Sequence, residues 1–83
     1  MASPDKVIIY TTTHCPDCQR AKRFLEYVGV PYREINVDED AEARQVVREH
    51  NDRKVRVPTF QINGKFLGNP PLLQLARILE QQV

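Results

Sequence analysis

The run Val7-Ile8-Ile9-Tyr10 is apolar without interruption and rich in β-branched residues, the pattern of a strand covered on both faces. After the polar stretch Thr11–His14 the periodicity changes. Cys18, Ala21, Leu25 and Val28 recur at steps of three and four with Phe24 beside them, while Arg20, Lys22, Arg23 and Glu26 take the other side. This spacing predicts an amphipathic helix from Pro16, stopped by Gly29 and Pro31. Tyr32–Val37 reads as a second strand with Ile35 and Val37 on one face, and Asp38-Glu39-Asp40 puts negative charge where the next helix begins. That helix is expected over 41–50, with Ala43, Val46, Val47 and His50 on its inner side.

A polar loop, Asn51–Arg56, leads to a third strand opened by Val57-Pro58, in which Phe60 and Ile62 alternate with Thr59 and Gln61. Asn63-Gly64 is a strong two-residue hairpin signal, and Lys65-Phe66-Leu67 returns as a fourth strand. Gly68-Asn69-Pro70-Pro71 breaks the sheet. A last helix follows, with Asn69 expected as its cap and Leu72, Leu75, Ala76 and Leu79 as its apolar stripe. The order β-α-β-α-β-β-α implies an α/β fold. Two parallel strands joined by a right-handed crossover, then a hairpin, make a four-stranded mixed sheet with helices on both faces.

The 83 residues carry no repeat or linker and are expected to form one domain, 1–83. A net charge of +1, without a basic stripe interleaved with aromatics, gives no pull towards nucleic acid. Met1–Lys6 holds no apolar segment, so neither a signal peptide nor a membrane span is expected, and the reading is cytoplasmic. In a reducing compartment a lone cysteine pair points to catalysis rather than to a structural staple.

That pair is Cys15-Pro16-Asp17-Cys18. Positions three apart share one face of a helix, within the narrow geometry that a disulfide tolerates. The first cysteine sits where backbone N–H groups and the helix dipole favour an anion, which lowers a thiol pKa from about 8.5 by one to several units. Cys15 is therefore read as the nucleophile and Cys18, one turn in, as the resolving thiol. A zinc site would need four ligands, and the chain offers Cys15, Cys18, His14 and His50. His50, however, falls on the apolar face of the second helix as a core or boundary residue, so a zinc site within one chain is not expected. Asp17, in the first turn, repels a thiolate at Cys15 and is expected to push the pair towards the reducing end; the competing reading leaves its charge screened by solvent.

The element order, with Cys15-Pro16-Asp17-Cys18 after the first strand and Val57-Pro58-Thr59 before the hairpin, resembles the glutaredoxin family of the thioredoxin fold, from Val7 to Leu79. The resemblance implies a dithiol thiol–disulfide oxidoreductase without a bound cofactor, monomeric, acting on proteins that contain disulfides. It implies that Pro58 is the family's cis-proline facing the cysteines and that Val57 offers its backbone to an extended substrate. Tyr10, Thr12, His14 and Pro16 would lie beside Cys15, with the Tyr10 and Thr11–Thr13 hydroxyls near the sulfur.

Family members hold glutathione with cations before the cis-proline, matched here by Arg53, Lys54 and Arg56, and with a Gly-Gly-x-Asp helix start. That start is replaced by Gly68-Asn69-Pro70-Pro71, and the two prolines remove two N–H donors. Thr11-Thr12 and Asn69-Pro70 are similar to mycoredoxin-like proteins, which use another low-molecular-weight thiol such as mycothiol. A second branch, redoxins feeding ribonucleotide reductase, takes electrons from the flavin enzyme thioredoxin reductase, but its aromatic segment is missing here. An iron–sulfur cluster or metal carrier using Cys15 between two chains is the alternative from another class.

Overall fold

The computed structural model describes residues 6–82. Its elements are β1 (Val7–Thr11), α1 (Pro16–Tyr27), β2 (Arg33–Asn36), α2 (Ala41–Glu49), β3 (Thr59–Ile62), β4 (Lys65–Gly68) and α3 (Leu72–Gln82). The sheet order is β2-β1-β3-β4. β1 pairs parallel with β2 and antiparallel with β3, and β4 returns antiparallel to β3. The uninterrupted apolar run is thus an inner strand, between β2 and β3.

Alternation along the strands divides the core in two. Val7, Ile9, Phe60 and Ile62 pack on one face of the sheet against Ala21 and Leu25 of α1 and Leu75 and Leu79 of α3. Tyr10, Val37 and the partly buried Ile8, Ile35 and Phe66 pack with Ala43 and Val47 of α2. Helices therefore cover both faces of a thioredoxin-like mixed sheet.

The hairpin closes as expected. Asn63 (φ 49°) and Gly64 (φ 84°) both take the left-handed conformation, and Ile62 opposes Lys65 across the two-residue turn. Asp40, the last of the three acids, caps α2 by accepting the Ala43 N–H at 3.0 Å.

Other boundaries differ from expectation. Strand β2 is Arg33–Asn36, shorter by one residue at each end, although buried Val37 still donates its N–H to Thr11 O at 2.8 Å. Strand β3 starts at Thr59, so Val57 and Pro58 lead into it rather than belonging to it. Asn69 does not cap α3. It sits at φ 40° and donates its N–H to Pro58 O, and the first helical bond runs from Leu75 N to Pro71 O. Val28 is the C-cap of α1 and 45% exposed, because the helix ends before its face can close over it. His50, expected inside, is the exposed C-cap of α2, stacked on Phe66 with ring centroids 3.7 Å apart.

Candidate active site

The turn from β1 into α1 carries both sulfurs. Cys15 is the N-cap, with extended backbone (φ −137°, ψ 99°), and its Sγ accepts the Cys18 backbone N–H at 3.0 Å. Sulfur here takes the place that a Ser or Asp oxygen usually fills at a helix start. Pro16 is the first helical residue, where its missing N–H costs nothing. The two cysteines form a disulfide with Cα atoms 5.2 Å apart. Cys15 is 8% exposed and Cys18 only 1%, so Cys15 is the less buried of the two. The Cys18 N–H and the positive end of α1 thus face the Cys15 sulfur, a place that suits an anion.

The loop before Cys15 is held from the end of the neighbouring strand β2. Asp38 Oδ2 accepts the Thr13 N–H at 2.9 Å, Asn36 Nδ2 donates to Thr13 Oγ1 at 3.3 Å, and Arg44 Nη2 donates to Asp38 Oδ1 at 3.3 Å. The Thr13 N–H first, then Arg44, holds the Asp38 carboxyl below the usual carboxylate range. From the sequence, Asp38 reads only as helix-start charge; its contact crosses 25 positions and leaves no local signal.

The Val57–Pro58 bond is cis, as the resemblance implied. Pro58 is buried and lines one cleft of about 290 Å³ with Asp17, Arg20, Asn69 and Pro70. Asp17, Pro58 and Asn69 are thus brought together. Asp17 pairs with Arg20 at 3.3 Å, both side chains being more than half exposed.

The remaining residues are placed otherwise. Tyr10 is buried and donates its hydroxyl to Gln61 Oε1 at 2.9 Å. Gln61 lies opposite Ile8, so this hydroxyl points back along β1 and away from the cysteine end, against expectation. Burial raises its pKa. Thr11 Oγ1 donates to Glu34 at 2.9 Å, and Glu34 also takes Lys22 Nζ at 3.0 Å. Thr12 is half-buried and His14 exposed in the loop beside Cys15.

The three cations do not share the Pro58 cleft. Arg53 lines a separate one with Gln45, Arg48 and Glu49 of α2, while Lys54 and Arg56 lie with His50 and Asn51. Gly68 backs onto Asn51: a Cβ there would collide with Asn51 Oδ1. Among the described residues, no three His, Cys, Asp or Glu side chains gather where they could hold a metal ion. No helix among them is long and apolar enough to cross a membrane.

Known proteins are similar to this chain in sequence and fold. A family model described as glutaredoxin matches residues 7–67. A probable glutaredoxin of Synechocystis is 35% identical over 68 residues, covering 82% of this chain and 77% of its own. Glutaredoxin 3 of Escherichia coli is 36% identical over 62 residues, covering 75% and 74%. Other relatives are longer, and the chain spans 58% of a second probable glutaredoxin of Synechocystis. Among solved structures, the glutaredoxin of Methanosarcina mazei superposes with a TM-score of 0.75 at 32% identity, over 89% of this chain and 77% of the other. The thioredoxin-like protein BC3987 superposes at 0.78 and 32% identity, over 88% and 99%. With the Cys15–Cys18 pair at the head of α1 on this sheet, the chain belongs to the glutaredoxin family of thiol–disulfide oxidoreductases.

Proposed function

We propose that Cys15 is the attacking thiol of a cytoplasmic, monomeric dithiol glutaredoxin that reduces protein disulfides, and that a mycothiol-like small thiol returns it to the reduced state. The observation that carries the first part is the Cys18 N–H aimed at Cys15 Sγ at the positive end of α1. A thiolate at Cys15 attacks one sulfur of the substrate disulfide, and the other sulfur leaves as a thiolate. Cys18, deprotonated in turn, attacks Cys15 Sγ, closes the internal disulfide and releases the second substrate sulfur. Two electrons have then passed to the substrate, which takes up two protons. Two equivalents of small thiol reopen the Cys15–Cys18 bond and are themselves oxidised to a disulfide.

The choice of thiol rests on the start of α3. Pro70 and Pro71 have no N–H, and the Asn69 N–H is already engaged by Pro58 O. Three consecutive residues therefore offer no backbone donor to a carboxylate, and Arg53 faces α2 rather than the Pro58 cleft. Both features weigh against a glutathione-type anion clamp. Offering the oxidised protein glutathione, mycothiol, and thioredoxin reductase with NADPH in parallel tests the assignment. Fastest reduction by mycothiol is expected; preference for glutathione or for the flavin enzyme would overturn the choice of donor.

A further inference from the structure

We propose that Asn51 is a positioning residue that holds the Arg56–Thr59 loop in register for substrate pairing. Its single side chain joins three parts of the fold. Nδ2 donates to Val47 O in the last turn of α2 at 2.7 Å and to Thr59 Oγ1 at 3.3 Å. Thr59 is fully buried, and its hydroxyl passes the connection on by donating to Arg56 O at 2.5 Å. Oδ1 occupies the space that a side chain at Gly68 would need, at the end of β4. The same Gly68 position would bring a Cβ to 3.0 Å from Arg56 Cδ, so Asn51, Arg56 and Gly68 close against one another.

The chain leaves Asn51 through two consecutive left-handed residues, Asp52 (φ 56°) and Arg53 (φ 65°), neither of them glycine. Such backbone persists only where surrounding contacts impose it. Here Lys54 N donates to Asn51 O at 3.0 Å, and Arg53 N to Arg48 O at 2.7 Å. The segment is therefore anchored on Asn51 at its start and on Thr59 at its end. Val57 and Pro58, with backbone offered to the substrate, lie between the two anchors. Displacing such a recognition element by about 1 Å costs on the order of a hundredfold in rate, although nothing touching the sulfur has changed.

This inference rests on the proposed disulfide exchange, and its test separates the two. Wild type, Asn51→Ala, Thr59→Val and Thr59→Ser are compared by kcat/KM for reduction of a peptide disulfide, and by the rate at which iodoacetamide alkylates Cys15 in the reduced protein. Alkylation needs only the thiolate; peptide reduction also needs Val57 and Pro58 in place. Asn51→Ala and Thr59→Val are expected to lower kcat/KM about tenfold to a hundredfold while alkylation stays within about twofold, and Thr59→Ser is expected to restore the wild-type rate. If both rates fall together, or neither does, Asn51 is not a positioning residue. Should Asn51→Ala fail to fold, the Thr59 pair decides by the same split. A wild type that reduces no disulfide would instead sink the function itself.

Discussion

Asp38 Oδ2 accepts the Thr13 backbone N–H at 2.9 Å, and through that contact the turn after β2 holds the loop that delivers Cys15. The Asp38 carboxyl is held below its ordinary range, by the Thr13 N–H first and Arg44 next. A depressed folded-state value stabilises the fold above about pH 3.9, the unfolded value, and the contribution fades as pH falls through the folded one. Asp38→Ala is therefore expected to unfold at lower denaturant concentration than wild type at pH 7. The two midpoints should converge as pH drops below about 3.9. Parallel denaturation curves at pH 7, 5 and 3 check this, and a constant gap would show that the carboxylate charge plays no part.

The positions of the two cysteines, one capping α1 and one a turn inside it, set separate fates for their variants. Cys15 is 8% exposed and Cys18 1%. Cys18→Ser is expected to attack a substrate disulfide and stop there, leaving a mixed disulfide visible as added mass on the intact protein. Cys15→Ser is expected to lose reductase activity to background. In the reduced wild type, the helix end is expected to raise the thiolate fraction of Cys15 at pH 7 above that of a free thiol. Titration of thiolate absorbance measures that directly, and a pKa of about 8.5 would remove the helix-end account.

The tyrosine that enters β2 offers a test at the alkaline limit. Tyr32 OH donates to Glu26 Oε2 at 2.7 Å, and burial first, then that bond and the acids Glu26 and Glu34, push its pKa up to about 12. A raised folded-state value means that the stabilisation is complete below the unfolded value of about 10 and is lost as pH rises through about 12. Tyr32→Phe is expected to cost about 0.5 kcal/mol at neutral pH, the bond being exposed, with the gap closing above about pH 10 and then reversing towards pH 12. Urea midpoints across that range, with absorbance at the phenolate band, follow both effects.

What could be read from the sequence was local. The apolar run of β1, the left-handed Asn63-Gly64 turn and the acidic start of α2 each depend on residues within four positions of one another, so periodicity and turn chemistry suffice. The cysteine pair was equally legible, since Cys15 caps the helix that Cys18 enters. Long-range choices were not. Asn69 has the right residue type for a cap, yet its N–H goes to Pro58 O, a partner that only the folded sheet brings near. His50 follows the helical period of α2, but Phe66 on β4 stacks against its ring at the helix end, outside the core. Tyr10 carries a hydroxyl close in sequence to Cys15, and the strand pairing that puts Gln61 opposite Ile8 draws it the other way. Asn51 reads as a polar helix stop, because neither Thr59 nor Gly68 is its neighbour until β3 and β4 are in place.

Asp17 was expected to make the pair more reducing by repelling the Cys15 thiolate, and its partner alters that expectation. Arg20 Nη1 lies 3.3 Å from Asp17 Oδ1 with both side chains over half exposed, so the two charges screen each other as well as being screened by solvent. The effect of either charge on Cys15 should therefore be small and opposite in sign. Asp17→Asn is expected to lower the Cys15 pKa slightly and Arg20→Gln to raise it slightly. The double variant should return close to wild type, since the opposed charges leave together. Thiolate titrations of the four proteins at low and high salt read these shifts, which should shrink as salt rises. A change of a full unit in Asp17→Asn alone would mean that the carboxylate acts on the sulfur unshielded, and the Arg20 pair would then not be what sets its influence.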